Sequence, residues 1–325
     1  MNPPAWYSFS FEPLFLALTI LAGYGYYRLA RSVERPSRAR ATIFVLGLVL
    51  IAFSLNSPLE TLAIHYLLVI HLLQNVMIAD WAPPLLVLGL TPAMRDAVAA
   101  RGGRPLALLT RPVFALPFWL VVWYGVHLPA FYDWALRHEW PLNIEHGLLI
   151  VAGLLFWWPV FAREPQRVST AIRLAYLGAA YIGSAFLSLA LIFAGRAFYA
   201  FYEHAPRLGG LSAQKDQNLG GILMNAEQML VFFAALSYFL LRLLSEEEES
   251  QRALEGRSNS SPSRSFSWRC WYPVPRAPTA IPRATSCSPI GCSCPLKHRS
   301  RNPRRTTCVT RSSRRTRRAS RSASR

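Results

Sequence analysis

The chain has 325 residues, of which 52% are hydrophobic, and a formal net charge of +18. So large an apolar share puts membrane spans ahead of any soluble fold. The charge alone would suggest a nucleic-acid partner, but Met1 to Glu255 sets 18 Lys and Arg against all 17 Asp and Glu, and the other 17 basic residues follow Glu255, so no nucleic acid is expected to bind the body of the chain.

The opening, MNPPAWYSFSFEP, has no basic residue and no small-residue cleavage site, so residues 1–13 are expected as an outer segment and the first span as the signal for insertion. Seven apolar runs follow, at about Leu14 to Leu29, Ala41 to Leu55, Leu62 to Leu90, Pro112 to Leu128, Leu142 to Phe161, Ile172 to Phe193 and Gly221 to Leu244. Crossing about 30 Å of hydrocarbon takes about 20 residues, so the second run is short and the third too long. Pro83-Pro84 is expected to end or kink the third helix, because proline lacks the amide donor and clashes with the preceding turn. LLVLG would then lie at the interface. The expected fold class is all-α: a polytopic membrane protein whose seven-helix transmembrane bundle fills residues 14–245, with a disordered basic tail over 246–325.

Basic residues in short connections stay on the cytoplasmic side. The first connection carries Arg28, Arg31, Arg35, Arg38 and Arg40, the next none, the third Arg95, Arg101, Arg104 and Arg111, and the fourth Arg137 alone. The expected placement is a bacterial plasma membrane with the N-terminus outside and the C-terminus inside. The sixth connection, GRAFYAFYEHAPRLGGLSAQKDQN, is long, and its spaced aromatics suggest a stretch lying at the outer interface. From Gly256 the text turns to Ser, Arg, Pro, Thr and Cys, and it holds all five cysteines in a spacing that matches neither a zinc site nor a disulfide framework. Three readings stand for it: an arginine-rich arm for anionic lipid or RNA, a disordered tail, or out-of-frame translation of a GC-rich gene. No function is assigned beyond residue 255.

With this orientation the six body histidines, His65, His71, His127, His138, His146 and His204, all belong to the outer half. His71, Gln74 and Asn75 are spaced i, i+3, i+4 and share one helix face, whereas His65 lies about 120° away and nearer the surface, as a gateway. Polar groups within a span cost a few kcal/mol unless they face the interior, pair or bind something. For one histidine alone a hydrogen-bonded core position is the ordinary explanation. His71, His127 and His146, however, come from three consecutive spans at similar depth, and converging imidazoles suit copper, zinc, iron or haem. Glu145 points about 100° from His146 and is expected to pair with Arg137 or to be solvated. Asp80, deeper and on the opposite face, fits a structural pairing with an inner Arg or a backbone group better than a proton relay. Met77, Met224 and Met229 are soft thioethers but more ordinarily packing. Asp216 either joins an outer metal site or caps a helix, and the glycines after it in KDQNLGGILM let helices approach closely. Nothing suggests a nucleophile with its base or a phosphate-binding loop, so no enzyme activity is expected.

HYLLVIHLLQ, APPLLVLGLTP, WYGVHLPAFYDWAL, IEHGLLIVAGLLFWWPV and KDQNLGGILM, in this order, resemble the caa3-type cytochrome c oxidase assembly factor family (CtaG-like) over about residues 14–245. The resemblance implies a seven-helix membrane protein that helps supply copper to the catalytic subunit of a haem-copper oxidase, its partners being that subunit and the bilayer. It implies metal ligation by His65, His71, His127 and His146, with Gln74, Asn75, Asp216 and Met224 in orienting roles. The family commonly reads Gln-His where this chain has Gln74-Asn75, and asparagine is a poor Cu(I) ligand. The alternatives are a membrane haem protein using two of His71, His127 and His146, a copper permease, and a ligand-free scaffold for oxidase assembly.

Overall fold

A computed structural model describes residues 4–161 and 168–260, the last five by backbone alone. In chain order its helices are α1 (Pro13–Ser32), α2 (Arg38–Leu55), α3 (Pro58–His65), α4 (Leu68–Val76), a π-helical turn (Met77–Trp81), α5 (Ala82–Gly89), α6 (Pro92–Leu109), α7 (Pro112–Val126), α8 (Pro129–Ala135), α9 (Glu139–Phe161), α10 (Thr170–Ile192), α11 (Ala200–Glu203) and α12 (Ala213–Ser260). Proline opens α1, α3, α6, α7 and α8, where its ring already holds helical φ and its missing amide falls at a position without an intrahelical partner. Hydroxyl caps mark other starts. The Ser37, Thr91 and Ser169 side chains accept from the amides of Arg40, Met94 and Ile172, each three residues on.

The protein is an all-α polytopic membrane protein. Each of the seven apolar runs is mainly helical, the third with a break. Five described stretches are long and apolar enough to cross a membrane: Arg38–Leu55, Leu68–Gly89, Glu139–Phe161, Thr170–Ile192 and Ala213–Glu255. A sixth forms if α6 and α7, bent by 73°, count as one. The outward faces of these helices are apolar, with Val121, Ile182, Phe186, Phe233 and Leu241 all more than 60% exposed, as a hydrocarbon solvent allows.

The third run departs from expectation. Its excess length is removed at Tyr66 and Leu67, whose backbone leaves the helical region, and not at the prolines. Pro83 and Pro84 fall in the first turn of α5, directly after the π-helical turn, so one 22-residue span runs from Leu68 to Gly89. The extra residue per turn of a π-helix absorbs the lost hydrogen bond and the ring clash that would otherwise break the span. LLVLG, expected at the interface, is helical and continues this span, with Leu86, Val87 and Gly89 buried.

Two close approaches hold this span in the bundle. A Cβ at Gly153 of α9 would clash with the Ala79 carbonyl oxygen and the Pro83 ring, and one at Gly220 of α12 would collide with Leu72 of α4. Small residues let helices approach in just this way where lipid supplies no hydrophobic drive between them. The break before α4 exposes its first amides, and Asp216 of α12 takes them, accepting from Leu68 N at 2.8 Å and Val69 N at 3.0 Å. Asp216→Ala should cost about 1–2 kcal/mol, the worth of a helix cap, measured as a lower unfolding midpoint in detergent. An unchanged midpoint would show the cap to be dispensable.

Two further expectations change. The sixth connection does not simply lie at an interface: Tyr199 and Tyr202 turn inward and are about 1% exposed, while Asp133 accepts from the amides of Ala200 and Phe201 to start α11. The segment from 246 to 260, expected as disordered tail, continues α12. Glu, Arg, Ala and Leu favour helix, and Arg242–Glu246 and Arg252–Glu248 pair across one turn at 3.0 and 3.1 Å. The rest of the tail, with its cysteines, lies outside the described residues.

Candidate functional site

At the end of the bundle where α3 meets α4, the histidine end, polar side chains from six elements meet in the interior. The i, i+3, i+4 face of α4 contributes His71, Gln74 and Asn75, α9 contributes Glu145 and His146, and His127 caps the end of α7. Glu60 comes from α3, Tyr132 from α8 and Tyr202 from α11. All are 2% exposed or less. Buried polar groups in a span need partners, and here the partners assign protons.

The Tyr202 hydroxyl lies 2.5 Å from the Ala63 carbonyl oxygen and 3.0 Å from His71 Nδ1. Its one hydrogen goes to the carbonyl, which can only accept, so the hydrogen between Tyr202 and His71 belongs to Nδ1. His71 Nε2 is thereby left as a bare lone pair. It faces Glu145 Oε1 at 3.6 Å, and that same oxygen accepts from Asn75 Nδ2 at 3.0 Å. His127 follows the same logic: Nδ1 donates to the Trp123 carbonyl oxygen at 2.6 Å, leaving Nε2 bare and without a partner. Among the described residues His146 has no partner at either nitrogen, and neither do Glu145 Oε2, Asn75 Oδ1 or Tyr132 Oη. The bare Nε2 atoms of His71 and His127 and the free oxygens of Glu145 and Asn75 are therefore buried lone pairs of the kind that take up a cation.

The rings are not equally close. His71 and His146 are edge to face with centroids 5.9 Å apart, while Tyr132 sits 5.0 Å from His71 and 5.8 Å from His127. Among the described residues no three His, Cys, Asp or Glu already surround one ion position. His71 approaches both Glu145 and His146, whereas His127 packs against Tyr132.

The remaining expected residues divide clearly. His65, half-buried at the end of α3, makes no hydrogen bond with any described residue. Gln74 Nε2 donates to the Ser54 carbonyl oxygen at 2.7 Å and to Glu60 Oε2. Asp216 caps α4, and Met224 is fully buried in the apolar core. Met77 is buried and Met229 is nearly half exposed. His138 and His204 are exposed and bond carbonyls four residues earlier. Glu145, expected to pair with Arg137 or to be solvated, is fully buried and bonded to Asn75, because α4 abuts the seam between Glu145 and His146 and so touches both. Asp80 pairs neither with Arg nor with backbone: its Oδ2 accepts from Gln228 Nε2 at 3.2 Å. Glu60, Tyr132 and Tyr202 were missed. Glu60 beside an apolar run is the available signal, whereas Tyr202 has the spacing of interfacial aromatics and Tyr132 carries no signal of its own.

These features define a class: a polytopic helical membrane protein with a buried histidine, carboxylate and tyrosine cluster at one end of its bundle. The family model described as cytochrome c oxidase caa3 assembly factor (Caa3_CtaG) matches residues 22–246, and the chain belongs to that family. No curated protein and no solved structure matches it.

Proposed function

We propose that this protein carries copper to the catalytic subunit of a haem-copper oxidase, with the ion held transiently as cargo by His71, His146 and Glu145 and with His127 as a further donor. The single observation that supports this reading is the bare Nε2 of His71, held by Tyr202 toward Glu145 and beside His146. Imidazole and carboxylate donors suit copper, and a set that is not yet closed around an ion suits binding that must be reversible. Asn75, where the family commonly has histidine, donates to Glu145 and so aims the carboxylate. His65 stands at the rim as a gateway. The distribution of arginines supports a histidine end that faces outward from a bacterial plasma membrane, the side on which copper would be received.

A haem reading fits less well, because two imidazoles that ligate one haem need a flat macrocycle between them, and His71 and His146 instead pack edge to face on each other, with Phe15 against His146 and Tyr132 tilted against His71. The test is His71→Ala in cells at limiting copper. Oxidase activity should be lost and should return with added copper, while the amount of the variant in the membrane stays unchanged. Full activity at limiting copper would count against copper delivery, and a Soret band on the purified protein would favour haem.

A further inference from the structure

At the end of the bundle opposite the histidine end, α1 finishes and α2 begins. The outward face of α1 changes character toward that end: first Leu14, Leu18 and Leu21, then Tyr24 and Tyr27, then Arg28 and Arg31, at helical steps of three and four residues and all exposed. From Leu21 to Arg31 is about 15 Å along the helix axis. Within that distance the stripe passes through the order of a membrane surface: hydrocarbon, aromatic interface, headgroup. The arginine heads are held against the tyrosines. Arg28 Nη1 donates to the Tyr24 hydroxyl at 3.1 Å and Arg31 Nη1 to the Tyr27 hydroxyl at 2.6 Å, with each guanidinium over the tyrosine ring it bonds.

The charge there is uncompensated. Arg28, Arg31, Arg35, Arg38 and Arg40 lie within 13 residues, with Glu34 the one acid among them, and none of the five arginines is ion-paired with a carboxylate among the described residues. Arg40 is spent on structure: its Nη1 donates to the carbonyl oxygens of Leu88 at 2.8 Å and Leu90 at 2.9 Å, while the Tyr26 hydroxyl donates to the Gly89 carbonyl oxygen at 3.2 Å, so the ends of α1, α2 and α5 form one platform. Arg28 and Arg31 each use one nitrogen on a tyrosine and keep the other donors of the guanidinium fork, the geometry that receives a phosphate. Because these heads continue an apolar stripe that faces lipid, their partner must itself continue into hydrocarbon, which a soluble polyanion does not. A zwitterionic lipid brings its own cation beside the phosphate and meets four unpaired arginines with no net charge. A lipid whose headgroup is net negative complements them, at about 1 kcal/mol for each basic residue near the surface.

We infer that the junction of α1 and α2 binds an anionic phospholipid, with Arg28 and Arg31 on its phosphate and the Leu14–Leu21 stripe along its acyl chains. This binding is independent of copper delivery. The test uses the full chain in detergent micelles, titrated with phosphatidylglycerol or with phosphatidylcholine of the same acyl chains, and native mass spectrometry reads the lipid bound. Wild type should bind phosphatidylglycerol about tenfold or more tightly than phosphatidylcholine. The double variant Arg28→Gln, Arg31→Gln should weaken phosphatidylglycerol about 10- to 30-fold and leave phosphatidylcholine within about twofold. Both side chains are exposed, so the fold should tolerate the change. Arg101→Gln with Arg104→Gln removes the same charge from exposed positions on α6 and should cost less than about threefold. Equal affinity for the two lipids, or an unchanged preference in the α1 variant, would overturn the inference. So would an equal loss in the α6 variant, which would mark a diffuse field and not a site, or displacement of the lipid by inorganic phosphate at equal concentration, which would mark a site for a free anion.

Discussion

Tyr202→Phe is expected to weaken copper binding by about 10- to 100-fold, the usual effect of losing a group that orients a metal ligand, although Tyr202 is offered no bond to the ion. The reason lies in one hydrogen. Tyr202 Oη donates to the Ala63 carbonyl oxygen and accepts from His71 Nδ1, which keeps the imidazole hydrogen on that side. Without the hydroxyl, the hydrogen is free to sit on Nε2, where Glu145 Oε1 at 3.6 Å is a waiting acceptor. The lone pair that would meet copper is then occupied. Titration of Cu(I) against a competing chelator reads the affinity directly, and oxidase activity at limiting copper should fall with it. A merely structural tyrosine would lower the unfolding midpoint and leave the affinity of the folded protein within about twofold of wild type, an outcome that would remove Tyr202 from the proposed site.

Gly153→Ala should destabilise the bundle by about 3 kcal/mol or more, at the upper end of the cost of overpacking. An added methyl would run into the Ala79 carbonyl oxygen and the Pro83 ring, and the first of these is backbone within the π-helical turn, which cannot rotate away. Relief would require α9 to move from the Leu68–Gly89 span, which would separate Glu145 and His146 from His71 and Asn75. The expected observations are little folded protein in the membrane and, in what remains, loss of copper binding. Gly147→Ala is the control. It lies on the same helix with open space around its Cβ position, and should be neutral or stabilising by up to about 1 kcal/mol, the gain in helix propensity. Equal midpoints for the two variants would mean that the close contact at Ala79 does not hold the span in place.

Much of the architecture was legible because its rules are local. A run of apolar residues declares a span by its length, a proline after a polar residue declares a start, and the glycines before Ile222 marked a close approach that Gly220 and Gly221 indeed make. The histidine positions were legible as a group, but their mutual distances were not. Glu145 points about 100° from His146, which favours Arg137 or solvent as its partner, yet α4 reaches both residues. Tyr199 and Tyr202 have the spacing of interfacial aromatics and instead fold inward, because Asp133 starts α11 at Ala200 and turns the connection back over the bundle.

By itself, then, the sequence determined the class of protein, the number and order of its apolar runs, and which stretches carry polar groups, since hydrocarbon demands length and apolarity of each segment separately. The tertiary structure alone decided which of those groups meet. Helices that are apolar all round carry no facing signal, so their rotation, the π-helical turn that keeps Pro83 within a span, and the proton that Tyr202 sets on His71 arise only when the helices pack.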